Sequence, residues 1–240
     1  MPPLLSIVIP AHNEEVRLPS TLEQVWTFLE RQSFESEIII VENGSSDHTL
    51  ELAQAFARRH PAAQVLQETD AGKGLAVRRG ILYAQGEYRF ICDADLSMPI
   101  EEVLRFLPPR TPDYDIAIAS REVPGAIRYG EPAYRHLIGR VFNFMVRTIT
   151  LPGIQDTQCG FKCFRARVAE DLFHVQTIDG WTFDVELLYV ALQRGYRVIE
   201  IPIPWYYHPG SRVRIISDSF QMLADLFRIR INDLRGRYAR

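Results

Sequence analysis

The feature that most constrains this chain is the alternation, through its first half, of short β-rich apolar runs with stretches at helical spacing. That order is the signature of βαβ units, in which each helical crossover brings the chain back to add a parallel strand. Ser6-Ile7-Val8-Ile9 reads as a buried strand closed by Pro10, after which Leu18, Leu22, Val25, Trp26 and Leu29 recur on one helical face. Glu37 to Val41 is a second buried strand, and Ser46 or Asp47 is placed to cap a helix with Leu50, Ala53, Phe56 and Ala57 on its apolar side. A short third strand spans Gln64 to Gln67, a fourth Tyr88 to Cys92, and a fifth Ile116 to Ala119. Beyond Pro124 the pattern predicts longer helices and loops, with turn-rich stretches from Gly153 to Phe164 and from Pro202 to Ser211.

In an open parallel sheet, ligands bind outside the carboxyl ends of the strands. Three such ends carry polar clusters here: Pro10 to Glu15, Glu42 to Asp47, and Asp93 to Asp95. Asp93-Ala94-Asp95 is the sharpest of them. Two carboxylates separated by one small residue, directly after an apolar strand, suit a hard divalent cation such as Mg²⁺ or Mn²⁺. Such an ion would bridge a diphosphate and stabilise charge as it leaves. Gly72-Lys73-Gly74 lacks the flanking residues of a nucleotide-binding P-loop, yet it brings an ammonium and backbone N–H groups toward a phosphate or a nucleobase.

Composition excludes several other classes. A chain of 240 residues, 47% hydrophobic and 24% charged, holds enough apolar material for a full core. A net charge of -3 lacks the basic excess of a nucleic-acid binder. The three cysteines form no CxxC pair and the six histidines lack ligand spacing, which argues against a disulfide framework or a zinc site. Cys92 and Cys159 are expected as small buried residues in a reducing cytosol. No window is long enough to span a bilayer, and the run from Leu4 to Pro10 is too short for a signal peptide. Asn43-Gly44-Ser45 matches a glycosylation sequon, but its place at a buried strand end removes that reading.

Several blocks, in order along almost the whole chain, resemble the family 2 glycosyltransferases of GT-A fold. They are Ile9 to Glu15, Val41 to Asp47, Gly72 to Arg78, Asp93 to Asp95, Ala119-Ser120-Arg121, Asp156 to Lys162, Trp181 to Leu188 and Gly210-Ser211-Arg212. The Asp156 and Trp181 blocks are most similar to the branch that glycosylates dolichyl or polyprenyl phosphates. The resemblance implies an α/β, Rossmann-like, mostly parallel sheet flanked by helices, with a C-terminal acceptor-side region of helices and loops. It implies one domain over 1–240, with 1–122 binding the nucleotide sugar and 123–240 facing the acceptor and membrane. It also implies roles for individual residues. Pro10, His12, Glu14, Glu42 and Asn43 would line the nucleoside pocket, with Lys73 beside the donor. Asp93 and Asp95 would hold metal and diphosphate across Ala94. Arg121 and Arg135 would bind the acceptor phosphate, and Arg212 would cover the donor phosphates. Asp156 and Gln158, from the same block, complete the expected catalytic set. Where the family usually has two aspartates this chain has Glu42 and Asn43, which leaves the base, and so UDP-glucose or GDP-mannose, open, with glucose favoured by the branch that the chain resembles.

A phosphate monoester is largely ionised near neutral pH and attacks without first losing a proton, so its enzyme needs alignment and charge neutralisation rather than a base. A sugar hydroxyl acceptor would instead need a positioned base, for which Asp156 and Asp184 are the candidates; each also suits a capping or loop-ordering role. The segment from Tyr134 to Ile149 is amphipathic, with Ile138, Val141, Phe142, Met145 and Ile149 on one face and His136, Arg140, Asn143 and Arg147 on the other. Such a helix packs on a core or lies on a membrane. The arginine-rich end (Arg228, Arg230, Arg235, Arg237 and Arg240) fits anionic lipid or a solvated face. The expected location is peripheral, at the cytoplasmic face of a membrane. The competing readings are a family 2 enzyme acting on a sugar hydroxyl and a sugar-nucleotide binding module without catalysis. A nucleotidyltransferase would carry a glycine-rich loop after its first strand, and Pro10 to Glu15 contains no glycine.

Overall fold

The computed structural model describes residues 2–111, 113–208 and 215–239, with side chains of the last segment described from residue 220. The five expected strands are present as β1 (Leu5–Ala11), β2 (Ser36–Asn43), β3 (Ala63–Glu68), β4 (Tyr88–Ile91) and β5 (Ile116–Ser120). The second half, read from sequence as helices and loops, adds β6 (Ile127–Tyr129), β7 (Lys162–Arg165), β8 (Val198–Pro202) and β9 (Pro204–Tyr206). The main sheet has the order β3-β2-β1-β4-β7-β5-β8, and β6 pairs with β9 in a separate two-stranded ribbon.

Strand β7 runs antiparallel between β4 and β5, with Phe90 opposite Cys163 and Ala117 opposite the same residue on the other side. It escapes a sequence reading for a physical reason. It is four residues long, and it begins with a lysine that is 1% exposed because its ammonium is paired internally. Strands β5 and β8 are parallel, so the sheet is parallel apart from β7.

Side-chain alternation along β1 and β2 divides the core into two layers. Ile7, Ile9, Ile38 and Ile40 face one side, with α1 (Leu18–Leu29) and the 3₁₀ segment Ile100–Phe106. Val8, Ile39 and Val41 face the other side, with α3 (Lys73–Tyr83), α5 (Ala166–Phe173) and α6 (Phe183–Gln193). The helix α2 (Thr49–Arg59) follows β2, and Asp47 holds its start by accepting from the Thr49 N–H at 3.1 Å. Gly80 lets α3 lie directly on the sheet, since a Cβ there would come 2.4 Å from Val8 Cγ1 and 2.8 Å from Val41 Cγ2.

The amphipathic segment forms α4 (Ala133–Ile149), which touches the long C-terminal α7 (Ile215–Leu234). Its packing differs from a plain core-facing helix. Phe142 and Val146 are buried, but Tyr134, Leu137, Ile138, Val141 and Phe144 are exposed, as are Phe220, Phe227, Ile231 and Leu234 on α7. The two faces are not cleanly divided: His136 and Asn143 line a cavity together with Ile138 and Phe142, while Arg140 and Arg147 are exposed. Among the described residues, no helix is long and apolar enough to cross a membrane. All three cysteines are free and buried, and burial pushes the Cys159 thiol up to about 11 and Cys163 up to about 12.

Candidate active site

The polar ends of β1, β2 and β4 meet at one cavity of about 640 Å³. Pro10, His12, Glu14, Asn43, Lys73, Asp93, Ala94 and Asp95 lie on one part of its wall. Arg121, Arg135, Asp156 and Gln158 lie on the rest. The sequence-predicted residues are therefore brought together, with two exceptions. Glu42 is buried behind the wall, where its Oε1 accepts from the Ser45 N–H at 2.5 Å and shapes the turn after β2. Arg212 lies outside the described residues.

The Asp93-Ala94-Asp95 turn is fixed from three sides. Thr21 donates from Oγ1 to the Ala94 carbonyl at 2.6 Å, which ties the turn to α1. Asp95 Oδ1 accepts from the Ser97 N–H at 3.0 Å, and Leu96 between them takes a left-handed φ of 45°. Gly160 faces Asp93 so closely that a Cβ would lie 1.8 Å from Asp93 Oδ2, so the Asp93 carboxylate occupies space that only glycine leaves. Among the described residues there is no group of three or more His, Cys, Asp or Glu able to hold a metal alone. Two carboxylates at a cavity wall still fit Mg²⁺ or Mn²⁺, because such ions commonly take one or two protein carboxylates and complete their shell with phosphate oxygens and water. Lys73 Nζ pairs with Asp93 Oδ1 at 2.6 Å and sits 5.4 Å above the Trp181 ring. Burial works against this ammonium, yet Asp93, with Asp184 and Asp95 beyond it, raises its pKa.

Asn43 acts as a clamp between β2 and the turn before Lys73. Its Oδ1 accepts from the Gly72 N–H at 2.9 Å and its Nδ2 donates to the Asp70 carbonyl. His12 Nδ1 lies 2.6 Å from the Asn43 carbonyl oxygen, which joins the β1 and β2 ends. Asn13, at a φ of 54°, accepts from the Ser46 N–H at 2.8 Å. Glu14 holds Arg17 with two bonds of 2.7 and 2.6 Å, and burial opposes the Arg17 charge less than the Glu14 bond favours it. Arg17 lines the cavity and was not expected there; its spacing of three from Glu14 at the start of α1 was the available signal.

The opposite wall is cationic and aromatic. Arg121 forms a side-on pair with Asp156, and Asp156 is itself held by its backbone N–H on Glu200 Oε1 at 2.9 Å. Burial disfavours both charges, but each offsets the other: the Asp156 pKa is lowered and the Arg121 pKa is raised. Arg128, which sequence reasoning missed, lies between Glu122 and Glu131, the latter at 2.6 Å. Trp205 carries both Arg121 and Arg128 on its ring, at 5.3 and 5.8 Å, and Arg135 sits 5.2 Å over Tyr207. Asp184 reaches the cavity from the first turn of α6, where Lys162 Nζ holds its Oδ2 at 3.0 Å. Burial raises the Asp184 pKa, against the pull of Lys162 and Lys73.

Residues 6–173 match the family model Glycosyl transferase family 2. The chain is 34% identical over 248 residues to the dolichyl-phosphate beta-glucosyltransferase of Dictyostelium discoideum, covering 97% of this chain and 75% of that protein. It is 36% identical over 247 residues to the Drosophila melanogaster enzyme of the same name and 34% over 247 residues to the human one, each time covering 97% of this chain and 76% of the relative. Among solved structures, it resembles glucosyl-3-phosphoglycerate synthase from Mycobacterium tuberculosis, crystallised with Mn²⁺, UDP and its product. That likeness has a TM-score of 0.69 at 19% identity, over 95% of this chain and 80% of that one, and it shows the GT-A fold. The strand-end carboxylates, the shared fold and the match across most of the chain lead to one conclusion: this protein is a glycosyltransferase that belongs to glycosyl transferase family 2.

Proposed function

We propose that the protein transfers glucose from UDP-glucose to the phosphate of a dolichyl or other polyprenyl phosphate, with inversion at the anomeric carbon. The observation that carries this reading is the wall formed by Arg121, Arg128 and Arg135. Guanidinium groups stacked on aromatic rings suit a phosphate monoester, because they stay charged and keep N–H donors beyond those that Asp156, Glu122 and Glu131 already take. The names of the relatives support the glucose and the dolichyl phosphate.

Both carboxylates that a hydroxyl acceptor would need as base are engaged elsewhere. Asp156 is occupied by Arg121, with a lowered pKa that makes it a poor proton acceptor. Asp184 is occupied by the buried Lys162. A phosphate oxygen needs neither. It attacks the anomeric carbon while the bond to the donor's diphosphate oxygen breaks, and the electron pair leaves with UDP. Arg121 and Arg135 align the attacking phosphate and offset its charge as it approaches the donor diphosphate.

On the donor side, His12, Glu14 and Asn43 border the pocket for the nucleoside. Asp93 and Asp95 would hold Mg²⁺ or Mn²⁺, which when bound neutralises the leaving diphosphate as a Lewis acid. The exposed apolar residues of α4 and α7, beside the cavity residues Ile138, Phe142 and Met222, support contact with a membrane surface. The proposed location is peripheral, at the cytoplasmic face.

The test is incubation of purified protein with radiolabelled UDP-glucose or GDP-mannose, Mn²⁺ or Mg²⁺ and a polyprenyl phosphate, followed by lipid extraction. Labelled lipid from UDP-glucose that disappears in Asp95→Ala and Arg121→Ala is the expected result. Labelled saccharide without labelled lipid would replace this reading by a hydroxyl acceptor, and donor binding without turnover would replace it by a binding module.

A further inference from the structure

Lys73 occupies an unusual position for a residue at the edge of a donor pocket. Its ammonium is bonded at 2.6 Å to Asp93, one of the two carboxylates available to a divalent cation, and it is also near Asp95 and Asp184. The backbone that carries it has little freedom. Asn43 clamps the Gly72 N–H, and the Leu75 N–H donates to the Asp179 carbonyl at 3.2 Å. Gly74 packs so tightly that a Cβ would lie 2.6 Å from Phe183 Cβ. The Lys73 side chain is different: four rotatable bonds, with the Trp181 ring 5.4 Å from its ammonium as a soft surface to slide along.

We propose that Lys73 is the resident counter-ion of the donor site, which leaves Asp93 for the donor diphosphate when a divalent cation binds, so that cation and donor bind only cooperatively. The proposal rests on the reading of Asp93 and Asp95 as metal ligands. Its physical basis is competition for one carboxylate. A cation held by Asp93 would crowd against the ammonium bonded to the same carboxylate, two like charges in a partly buried site. With cation alone, Lys73 must give up its bond to Asp93 and keeps only the longer-range pull of Asp184, already paired with Lys162, and of Asp95, which would share the cation, so binding is weak. With a nucleoside diphosphate present, the freed ammonium gains phosphate oxygens and the cation gains ligands. Each ligand therefore raises the affinity for the other by the same factor.

Mn²⁺ binding to the full protein, read by loss of the free-ion electron paramagnetic resonance signal with and without UDP, tests this independently of turnover. Wild type is expected to bind Mn²⁺ at least tenfold more tightly with saturating UDP than without. In Lys73→Gln and Lys73→Met, Mn²⁺ alone should bind at least tenfold more tightly than in wild type, and the enhancement by UDP should shrink. Two variants of different polarity guard against a local packing effect, and circular dichroism checks their fold. Weaker Mn²⁺ binding in both variants, or equal enhancement by UDP in variants and wild type, overturns the proposal while leaving the metal reading intact. Absence of Mn²⁺ binding to wild type even with UDP, with Asp95→Asn behaving alike, overturns the metal reading and the proposal together.

Discussion

Arg121 and Asp156 face each other in a three-bond arrangement: Nε to Oδ2 at 2.7 Å, Nη2 to Oδ1 at 2.9 Å, and the Arg121 backbone N–H to Oδ2 at 2.9 Å. The Asp156 side chain is 3% exposed and the Arg121 side chain 21%, so most of the pair is out of water. Breaking such a pair by removing one partner leaves a desolvated charge behind. Asp156→Asn should therefore cost about 3 kcal/mol of stability, the low end for a buried pair given the partial exposure of Arg121. Urea denaturation at pH 7 measures it. The same variant lets the guanidinium turn away, so the KM for polyprenyl phosphate should rise with little change in UDP affinity.

The pH dependence of that difference has a definite sign. Arg121 lowers the Asp156 pKa in the folded protein, so below the ordinary value of about 3.9 the unfolded chain binds a proton that the folded one does not. The stabilisation is fully present above that value and is lost as pH falls through the folded pKa. The gap between wild type and Asp156→Asn should stay constant from pH 7 to about pH 5 and narrow below about pH 4. Denaturation curves collected across that range decide it, and a gap that stays flat to pH 3 would show that Asp156 is not held ionised by Arg121.

The donor half of the site is legible in sequence because β1, β2 and β4 are dense in buried Ile, Val and Phe and end abruptly in polar residues. Strand position then fixes where Pro10, Asn43 and Asp93 must point. The acceptor half is less legible. Arg128 and Trp205 sit on strands of three residues, too short for any period to register, and each faces the cavity only because β6 and β9 pair across a long sequence separation. Asn43 is another case. Its residue type suggests a hydrogen bond to a base, whereas its amide is spent on the loop at 70–72, a contact that only the folded chain creates.

Arg128 gives a prediction that separates acceptor from donor. It stands between Glu122 and Glu131, and its removal would leave two carboxylates on a wall meant for an anion. Arg128→Ala should raise the KM for polyprenyl phosphate more than tenfold while the dissociation constant for UDP with Mn²⁺ stays within twofold. Adding Glu122→Gln should recover part of the loss, because it removes one of the exposed negative charges. Equal damage to UDP and lipid binding would mean that Arg128 supports the whole cavity rather than the acceptor side.

Glycines near the site should divide by what a Cβ meets. At Gly72 it would lie 2.6 Å from the Asp179 carbonyl oxygen, a backbone atom that cannot give way without moving the loop. At Gly160 it would lie 1.8 Å from Asp93 Oδ2 and 2.4 Å from Asp93 Cγ, the end of a side chain that can rotate. Gly160→Ala should therefore unfold within about 1 kcal/mol of wild type, since surrounding backbone need not shift and displacing a rotamer costs about that much. Its Mn²⁺ affinity in the presence of UDP should fall at least tenfold, because the carboxylate that would hold the ion no longer fits its place beside Asp95. Gly72→Ala should show the reverse emphasis, a clear loss of stability with Mn²⁺ affinity in the presence of UDP falling less than in Gly160→Ala. Melting curves and Mn²⁺ titrations of the two variants, run side by side, test the contrast: a strongly destabilised Gly160→Ala would show that residue 160 shapes the fold, and unchanged Mn²⁺ binding there would show that Asp93 is not needed where the structure holds it.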